Sequence, residues 1–226
     1  VAPAVFNQYP ISCVKDNAEA MVKRVEKIGL KGAISLPSLY SIGEIELLNC
    51  WDLNLQVATA LRSVETKSER QDAMVPDRQL SAMDSSDILF SAILPTFAAY
   101  IVNHKDLPDY VSLAYADAYN RWLKDYCDFD STRLKAVGVI SRHDPKNMVE
   151  QLEKVVENGW TSITLRPEVI MGRVLGHADY NDFWAACEKH NIAVAFHGGT
   201  NLHAPTAGTD RFTTRFAMHA CSHPME

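Results

Sequence analysis

The sequence has little of what marks disordered, fibrous or membrane-spanning proteins. It contains only 10 glycines and 10 prolines in 226 residues, and 47% of its residues are apolar. These values exclude collagen-like, low-complexity and disordered classes. No apolar run approaches the roughly 18 to 20 residues that cross a bilayer, and even the stretch 88–102 is interrupted by Pro95. The composition predicts a soluble globular protein with a large core.

The sequence also lacks any block of five like charges. Its 22 basic and 28 acidic side chains give a formal net charge of −6. A basic patch is the usual electrostatic signature of proteins that bind nucleic acid or an anionic membrane. We therefore expect neither as a partner. Self-association into a homo-oligomer is left open.

Cysteine pairs that could clamp zinc or exchange disulfides are missing as well. The five cysteines are an odd number at wide spacing, without a Cys-x-x-Cys pair. This pattern predicts reduced thiols in a cytoplasmic protein. The chain opens with Val1 rather than Met, without the pattern of a signal peptide, and its last residues look like the start of another element. We expect sequence to be missing at both ends.

The first 80 residues give few structural signals. Apolar residues at helical spacing predict a helix over residues 17–28, which Gly29 ends. A short strand is predicted over residues 33–36. Polar and charged residues crowded around Pro76 predict an exposed loop over residues 62–80.

From residue 87 onward, short apolar runs alternate with longer helical segments. Strands are predicted over residues 88–94, 134–140, 160–165 and 192–196, and helices over residues 110–126, 145–157 and 180–189. Alternation of this kind indicates βα units. The strands should therefore be parallel neighbours in that order, with their carboxyl ends on one face. In the helix over 110–126, Val111, Tyr115, Ala118, Trp122 and Tyr126 should form the packed face.

Polar residues that directly follow these strands are the first candidates for chemistry, because ligands of parallel α/β folds bind at the carboxyl ends of the strands. His197, after the strand over 192–196, is the strongest of them. A neutral imidazole can bind a metal or move a proton, and the two glycines that follow allow close approach. A structural histidine at this position is the alternative, and the residues alone leave both open.

Arg166 follows the strand over 160–165. Its guanidinium could bind a substrate carboxylate bidentately, or pair with a protein carboxylate such as Glu168, and the sequence leaves both open. His143 and Asp144 follow the strand over 134–140. Adjacent side chains diverge and Asp suits the cap position, so this pair is predicted to be a helix cap rather than a catalytic pair.

A set of short segments occurs in a suggestive order: residues 118–123 (AYNRWL), 133–138 (RLKAVG) leading to Asp144-Pro145, Gly159 before an apolar strand, 196–199 (FHGG) and 223–226 (HPME). Over residues 80–226 these segments resemble the amidohydrolase-related (β/α)8 barrels. That group includes aminocarboxymuconate-semialdehyde decarboxylase, aromatic acid decarboxylases and metal-dependent hydrolases.

The resemblance implies a TIM-type barrel, as a single α/β domain over residues 1–226. It also implies one divalent metal ion, zinc or alternatively manganese, held by a His-x-His or Glu-x-His pair after the first strand, a His after the fifth and an Asp after the eighth. His197 matches the fifth-strand histidine. No such pair occurs before residue 80, and 29 residues follow His197, whereas three further βα units need on the order of 90. We expect N-terminal and C-terminal strands, and with them part of the metal site, to be missing.

The functional hypothesis is a metal-dependent hydrolase acting on a small carboxylated or aromatic substrate, with Arg166 binding the carboxylate and His197 binding the metal. A carboxy-lyase on the same scaffold is the first alternative. A catalytically silent fragment or binding module without metal, and a metal-free lactonase, are the others.

Overall fold

The structure is a computed structural model that describes residues 2–14, 38–49, 74–95 and 97–197. The chain divides into two compact units. One comprises Val1–Leu61, Pro167–Val169 and Gly198–Glu226, and the other comprises Arg62–Arg166 and Ile170–His197. The helix predicted over 17–28 and the strand predicted over 33–36 lie outside the described residues. A single domain over the whole chain stays a prediction.

The first unit contains an antiparallel sheet that the sequence did not predict. Its elements are helix α1 (Ala2–Gln8) and strands β1 (Ile11–Val14), β2 (Ser38–Ile42) and β3 (Ile45–Asn49). The strand order is β1-β2-β3. Gly43 turns the chain between β2 and β3 with a φ of +58°, a conformation that glycine adopts without steric cost. A two-residue turn of Gly43 and Glu44 lacks the Asn-Gly signature by which such hairpins are recognised.

The second unit consists of parallel strands and the helices between them. In chain order the elements are α2 (Pro76–Ser85), β4 (Ser91–Ile93), α3 (Phe97–Val102), α4 (Asp109–Cys127), β5 (Leu134–Ala136), β6 (Gly138–Val139), α5 (Pro145–Glu157), β7 (Ser162–Leu165), a 3-10 turn (Ala178–Tyr180), α6 (Asn181–Lys189) and β8 (Ala193–Phe196). Strand β4 pairs with β5, β6 with β7, and β7 with β8, all of them parallel. The predicted parallel order is confirmed.

The main core of this unit lies between the strands and the helices. Ile163 and Leu165 of β7 are fully buried in it, together with Leu152 of α5 and Phe183 of α6. Helix α5 begins where Pro145 presets the backbone φ of the first turn and the carboxylate of Asp144 accepts a hydrogen bond from the Lys146 N–H at 3.0 Å. The predicted helix and cap are confirmed.

The predicted buried strand over 88–94 is wrong in its first half. Only Ser91–Ile93 form a strand, and Leu89 and Phe90 are exposed, at 81% and 62%. The reason lies in Arg133, whose guanidinium donates to the carbonyls of Ile88 and Leu89. A side chain therefore satisfies backbone groups that a longer strand would pair with a neighbouring strand.

The predicted strand over 134–140 is two shorter strands. The chain leaves the ladder at Val137, whose N–H donates to the carbonyl of Ile93. Strand β5 on one side of this break pairs with β4, and β6 on the other side pairs with β7. The apolar run therefore has one paired neighbour before Val137 and another after it.

The predicted loop over 62–80 is also wrong where it can be checked, because helix α2 begins at Pro76. Proline is well tolerated in the first turn of a helix, where its missing N–H has no partner to lose. The polar composition reflects an exposed helix rather than a loop. Of the residues of α2, Met83 is buried and the others are at least partly exposed.

The packed face of the helix over 110–126 is only partly as predicted. Val111 and Tyr126 are buried, but Trp122 is 47% exposed and Leu123 is buried instead. The Trp122 ring lies against the rings of Tyr119 and Tyr126, with centroids 5.5 and 5.3 Å away. The helical spacing of these aromatic residues therefore reflects ring contacts along the helix surface as well as burial.

Two cysteines lie in helices α4 and α6 of the second unit. Cys127 and Cys187 are free and buried, and burial raises the pKa of each to about 11. This agrees with reduced structural cysteines. No helix within the described ranges is both long and apolar enough to span a membrane.

A close contact at Gly138 provides a test of this packing. A Cβ atom there would lie 3.0 Å from Cγ2 of Val155 and 3.3 Å from the Trp160 ring. Both neighbouring side chains are buried, so neither has free space to move away from an added methyl group. We expect Gly138→Ala to lower the free energy of unfolding by about 1 to 2 kcal/mol through overpacking, measured by urea denaturation.

Gly176→Ala is the matched control, since a Cβ at Gly176 meets no atom within 4 Å. This variant should change the free energy of unfolding by less than about 0.5 kcal/mol. Equal stability of the two variants would contradict the packing described here.

Candidate active site

The carboxyl ends of β7 and β8 are held side by side by their register. Leu165 pairs with Phe196, and the N–H of His197 donates to the carbonyl of Leu165 at 3.0 Å. The next residue of each strand is therefore Arg166 on one and His197 on the other. The structure brings the two predicted site residues to neighbouring positions at one edge.

Alternation along the strands places both residues on the face opposite the helices. Leu165 is buried in the core beneath the helices, and the Phe196 ring lies 6.4 Å from that of Trp184 in α6. Successive strand residues point to opposite faces. Arg166 and His197 therefore lie on the other face of the sheet. In a closed parallel barrel, this face forms the interior.

Arg166 is a buried cation, with 5% of its surface exposed. His197 is half-buried. The planar guanidinium of Arg166 stands at the carboxyl edge of the strands and has the geometry that can bind a carboxylate through two parallel hydrogen bonds.

A second arginine, Arg142, binds the backbone at this edge. Arg142 is fully buried, and its guanidinium donates to the carbonyl of Arg166 and, at 3.3 Å, to that of Arg173. It also lies over the Tyr180 ring, 5.3 Å from the centroid. The Tyr180 hydroxyl in turn donates to the Arg142 carbonyl at 3.2 Å.

A buried histidine lies beside these arginines. His143 follows β6, and its Nε2 is 2.9 Å from the carbonyl of His104. A carbonyl only accepts, so Nε2 carries a proton. The backbone just before it is fixed to α5, because Gln151 accepts from the Ser141 N–H at 2.8 Å and donates to the Ser141 carbonyl at 3.1 Å.

Both histidines of this pair favour the neutral form. Burial lowers the pKa of His143 below its usual value, although the hydrogen bond to the His104 carbonyl and the charge of Asp109 act against this. Burial also lowers the pKa of His104, as do the neighbouring positive groups, Arg166 among them. His104 is tied to the segment after β6 through the contact of its carbonyl with the His143 ring.

The described residues do not by themselves make a metal centre. His197 is a suitable ligand by its position and chemistry. However, no group of three or more His, Cys, Asp or Glu side chains able to hold a metal occurs within the described ranges. Further ligands would have to come from residues outside those ranges.

A cavity of about 290 Å³ lies elsewhere, between helices α4 and α5. It is lined by residues such as Asn120, Lys124, Lys154 and Trp160. Trp160 precedes β7, so this cavity lies toward the amino ends of the strands and on the helix side. Ligands of parallel folds bind at the opposite ends, and we do not assign the site to this cavity.

The prediction that Asp144 is a helix cap, and not the catalytic partner of His143, is confirmed. The Asp144 carboxylate caps α5, while the His143 ring contacts His104. Sequence reasoning missed Arg142 and His104. Arg142 stood directly after a predicted strand, and this position was the available signal. His104 follows a short helix that no sequence pattern predicted, so nothing marked it.

Comparison with known proteins identifies the class. Residues 51–222 match the profile of the Amidohydrolase family. An amidohydrolase from Mycobacterium avium subsp. paratuberculosis K-10 is similar in structure, with a TM-score of 0.61 and 19% identity over 91% of this chain and 54% of that one. The described parallel βα units thus have the fold of an amidohydrolase-type (β/α)8 barrel, as the sequence predicted. The chain belongs to the amidohydrolase family.

Two decarboxylases are also similar in fold. The dihydroxybenzoic acid decarboxylase from Polaromonas sp. JS666, with bound manganese and the inhibitor 2-nitroresorcinol, has a TM-score of 0.53 and 17% identity over 70% of this chain and 49% of that one. The 2,6-dihydroxybenzoate decarboxylase from Rhizobium has a TM-score of 0.50 and 20% identity over 59% and 42%. The chain spans about half the length of these structures. Among curated proteins, none matches the sequence.

The lowered pKa of His143 predicts a pH dependence of stability. The unfolded chain binds a proton at this histidine at a higher pH than the folded protein does, so the free energy of unfolding should fall as the pH drops through the usual histidine range. We expect His143→Gln to lose less stability than the wild type between pH 7.5 and pH 5.5, measured by urea denaturation.

Val155→Ala is the control for this measurement, because it destabilises the buried core of α5 without removing a titratable group. It should lose as much stability as the wild type over the same interval. A His143→Gln variant that follows the wild-type curve would show that His143 is not held neutral.

Proposed function

We propose that this chain is part of an amidohydrolase-family enzyme that acts on a small aromatic or carboxylated substrate at the edge formed by Arg166 and His197. The observation that carries the proposal is the buried guanidinium of Arg166 directly beside a strand-end histidine. A planar guanidinium binds a carboxylate through two parallel hydrogen bonds. In a protein of net charge −6, an anionic substrate needs such a local cation.

Two reactions are carried forward for this site. Hydrolysis is the activity inferred first from the sequence. Decarboxylation is supported at least as well, because aromatic acid decarboxylases are among the proteins with a similar fold. In that reaction the bond from the ring to the carboxyl carbon breaks, CO2 leaves, and the ring carbon takes up a proton in its place.

We propose that the protein holds one divalent metal ion with His197 as a ligand through a neutral ring nitrogen. Manganese is present in the Polaromonas decarboxylase, and zinc is the ion that the family resemblance implies. When bound, such an ion polarises a substrate oxygen or lowers the pKa of a water molecule. Arg166 meanwhile orients the substrate through its carboxylate.

The alternatives are a silent or purely binding protein without metal, and a metal-free lactonase. Metal content separates these from the proposal. A cytoplasmic location, the absence of a nucleic-acid partner and the oligomeric state stay predictions from the sequence.

The first experiment measures metal in the full-length protein after loading with Mn2+ or Zn2+ and gel filtration. We expect about one ion per chain in the wild type and a clear loss in His197→Ala, because one ligand is removed. His177→Ala should retain the wild-type content, since His177 lies in the loop before the 3-10 turn. Equal metal content in wild type and His197→Ala would remove His197 from the metal site.

The second experiment measures CO2 release from 2,6-dihydroxybenzoate. Arg166→Lys keeps the charge but loses the planar fork, so KM should rise roughly ten- to hundredfold, as expected for about 1.5 to 3 kcal/mol from a charged hydrogen bond. Arg133→Lys is the control, because Arg133 contacts Asp84 and the segment before β4. If Arg166→Lys loses thermal stability with KM unchanged, Arg166 is structural.

A further inference from the structure

The buried guanidinium of Arg142 connects two points of the segment that follows β7. One terminal nitrogen donates to the carbonyl of Arg166, and the other donates to the carbonyl of Arg173. The five N–H groups of a guanidinium lie in one plane at fixed angles. One rigid group therefore sets the distance between two backbone positions seven residues apart.

The second of these positions is itself well fixed. The N–H of Arg173 donates to the carbonyl of Ile170 at 2.8 Å, and the N–H of Ile170 donates back at 3.2 Å. The Arg173 side chain is bound to Asp179 at 2.7 Å. Arg142 thus ties the carbonyl of Arg166 to a short bridged turn and not to a free chain.

Arg142 is held in turn by Tyr180. The guanidinium lies over the Tyr180 ring, and the Tyr180 hydroxyl donates to the Arg142 carbonyl. Tyr180 itself is fully buried in the core between α5 and α6. Through these contacts the position of Arg142 is determined by the helix layer of the unit.

We propose that Arg142 is a positioning residue that aims the guanidinium of Arg166 at the carboxylate of the substrate. A fixed Arg166 carbonyl fixes the Cα from which its side chain extends. A shift of about an ångström there is enough to lose a bidentate contact. The inference rests on the proposed function, because it assigns Arg142 a role through the substrate-binding role of Arg166.

The test compares Arg142→Lys with Val155→Ala in the full-length, metal-loaded protein. A lysine cannot reach two carbonyls with a planar fork, so KM for 2,6-dihydroxybenzoate should rise at least fivefold with kcat changed less than twofold. Val155 is a buried core residue of α5, so its variant is destabilised without touching Arg166. Its KM should stay within twofold of the wild type.

Hydrogen exchange of the backbone amides between residues 166 and 173 gives a second readout that needs no substrate. Exchange in this segment should accelerate at least tenfold in Arg142→Lys, relative to Val155→Ala. If the wild type neither binds nor converts the benzoate, decarboxylation of this substrate is excluded, and the exchange measurement alone then decides the role of Arg142, which unchanged exchange would overturn. If the wild type is active and Arg142→Lys has the wild-type KM, only the positioning role is overturned.

Tyr180→Phe is a second variant that tests the same role of Arg142 if Arg142→Lys does not fold. This variant retains the ring beneath the guanidinium and loses only the hydroxyl bond to the Arg142 carbonyl. A twofold to fivefold rise in KM, with faster exchange in the same segment, would support the proposal. Wild-type KM and exchange in a folded Tyr180→Phe, with Arg142→Lys unfolded, would overturn it.

Discussion

The pairing register between β7 and β8 is the constraint on which the candidate site depends. Leu165 opposite Phe196 directs both side chains toward the helices, and so turns Arg166 and His197 toward the other face. A slip of one residue in β8 would exchange Phe196 with His197 and place the imidazole on the helix side, beside Trp184. The register is favoured because Leu165 fills the core and the Phe196 ring lies against that of Trp184. Packing on the helix side therefore determines which groups face the substrate side.

The electrostatics of the edge follow from what surrounds it. Arg166 and Arg142 are buried cations that follow two neighbouring strands. Carbonyl dipoles and an aromatic ring compensate part of the cost of burying Arg142. The nearby histidines add no further charge at neutral pH, because burial lowers the pKa of His143 and of His104. The two guanidinium groups, and not the histidines, are thus the cationic side chains of this edge.

Much of the parallel fold could be predicted because its local signals agree with its packing. The helix over 145–157 was predictable because Asp144, Pro145 and the apolar spacing all indicate the same element. The strand over 88–94 was not, because Arg133, more than forty residues away, binds its first carbonyls. Arg142 likewise acts through contacts 24 to 38 residues distant along the chain. Such contacts depend on tertiary structure, whereas the neighbouring positions of Arg166 and His197 at one edge could be predicted because each directly follows a strand.

The most direct test of the account is a crystal structure of the full-length protein with Mn2+ and 2,6-dihydroxybenzoate, with the metal located by its anomalous scattering. The account predicts manganese bound to a ring nitrogen of His197 and the substrate carboxylate against the guanidinium of Arg166. Manganese away from His197, or a carboxylate bound in the cavity between α4 and α5, would contradict it.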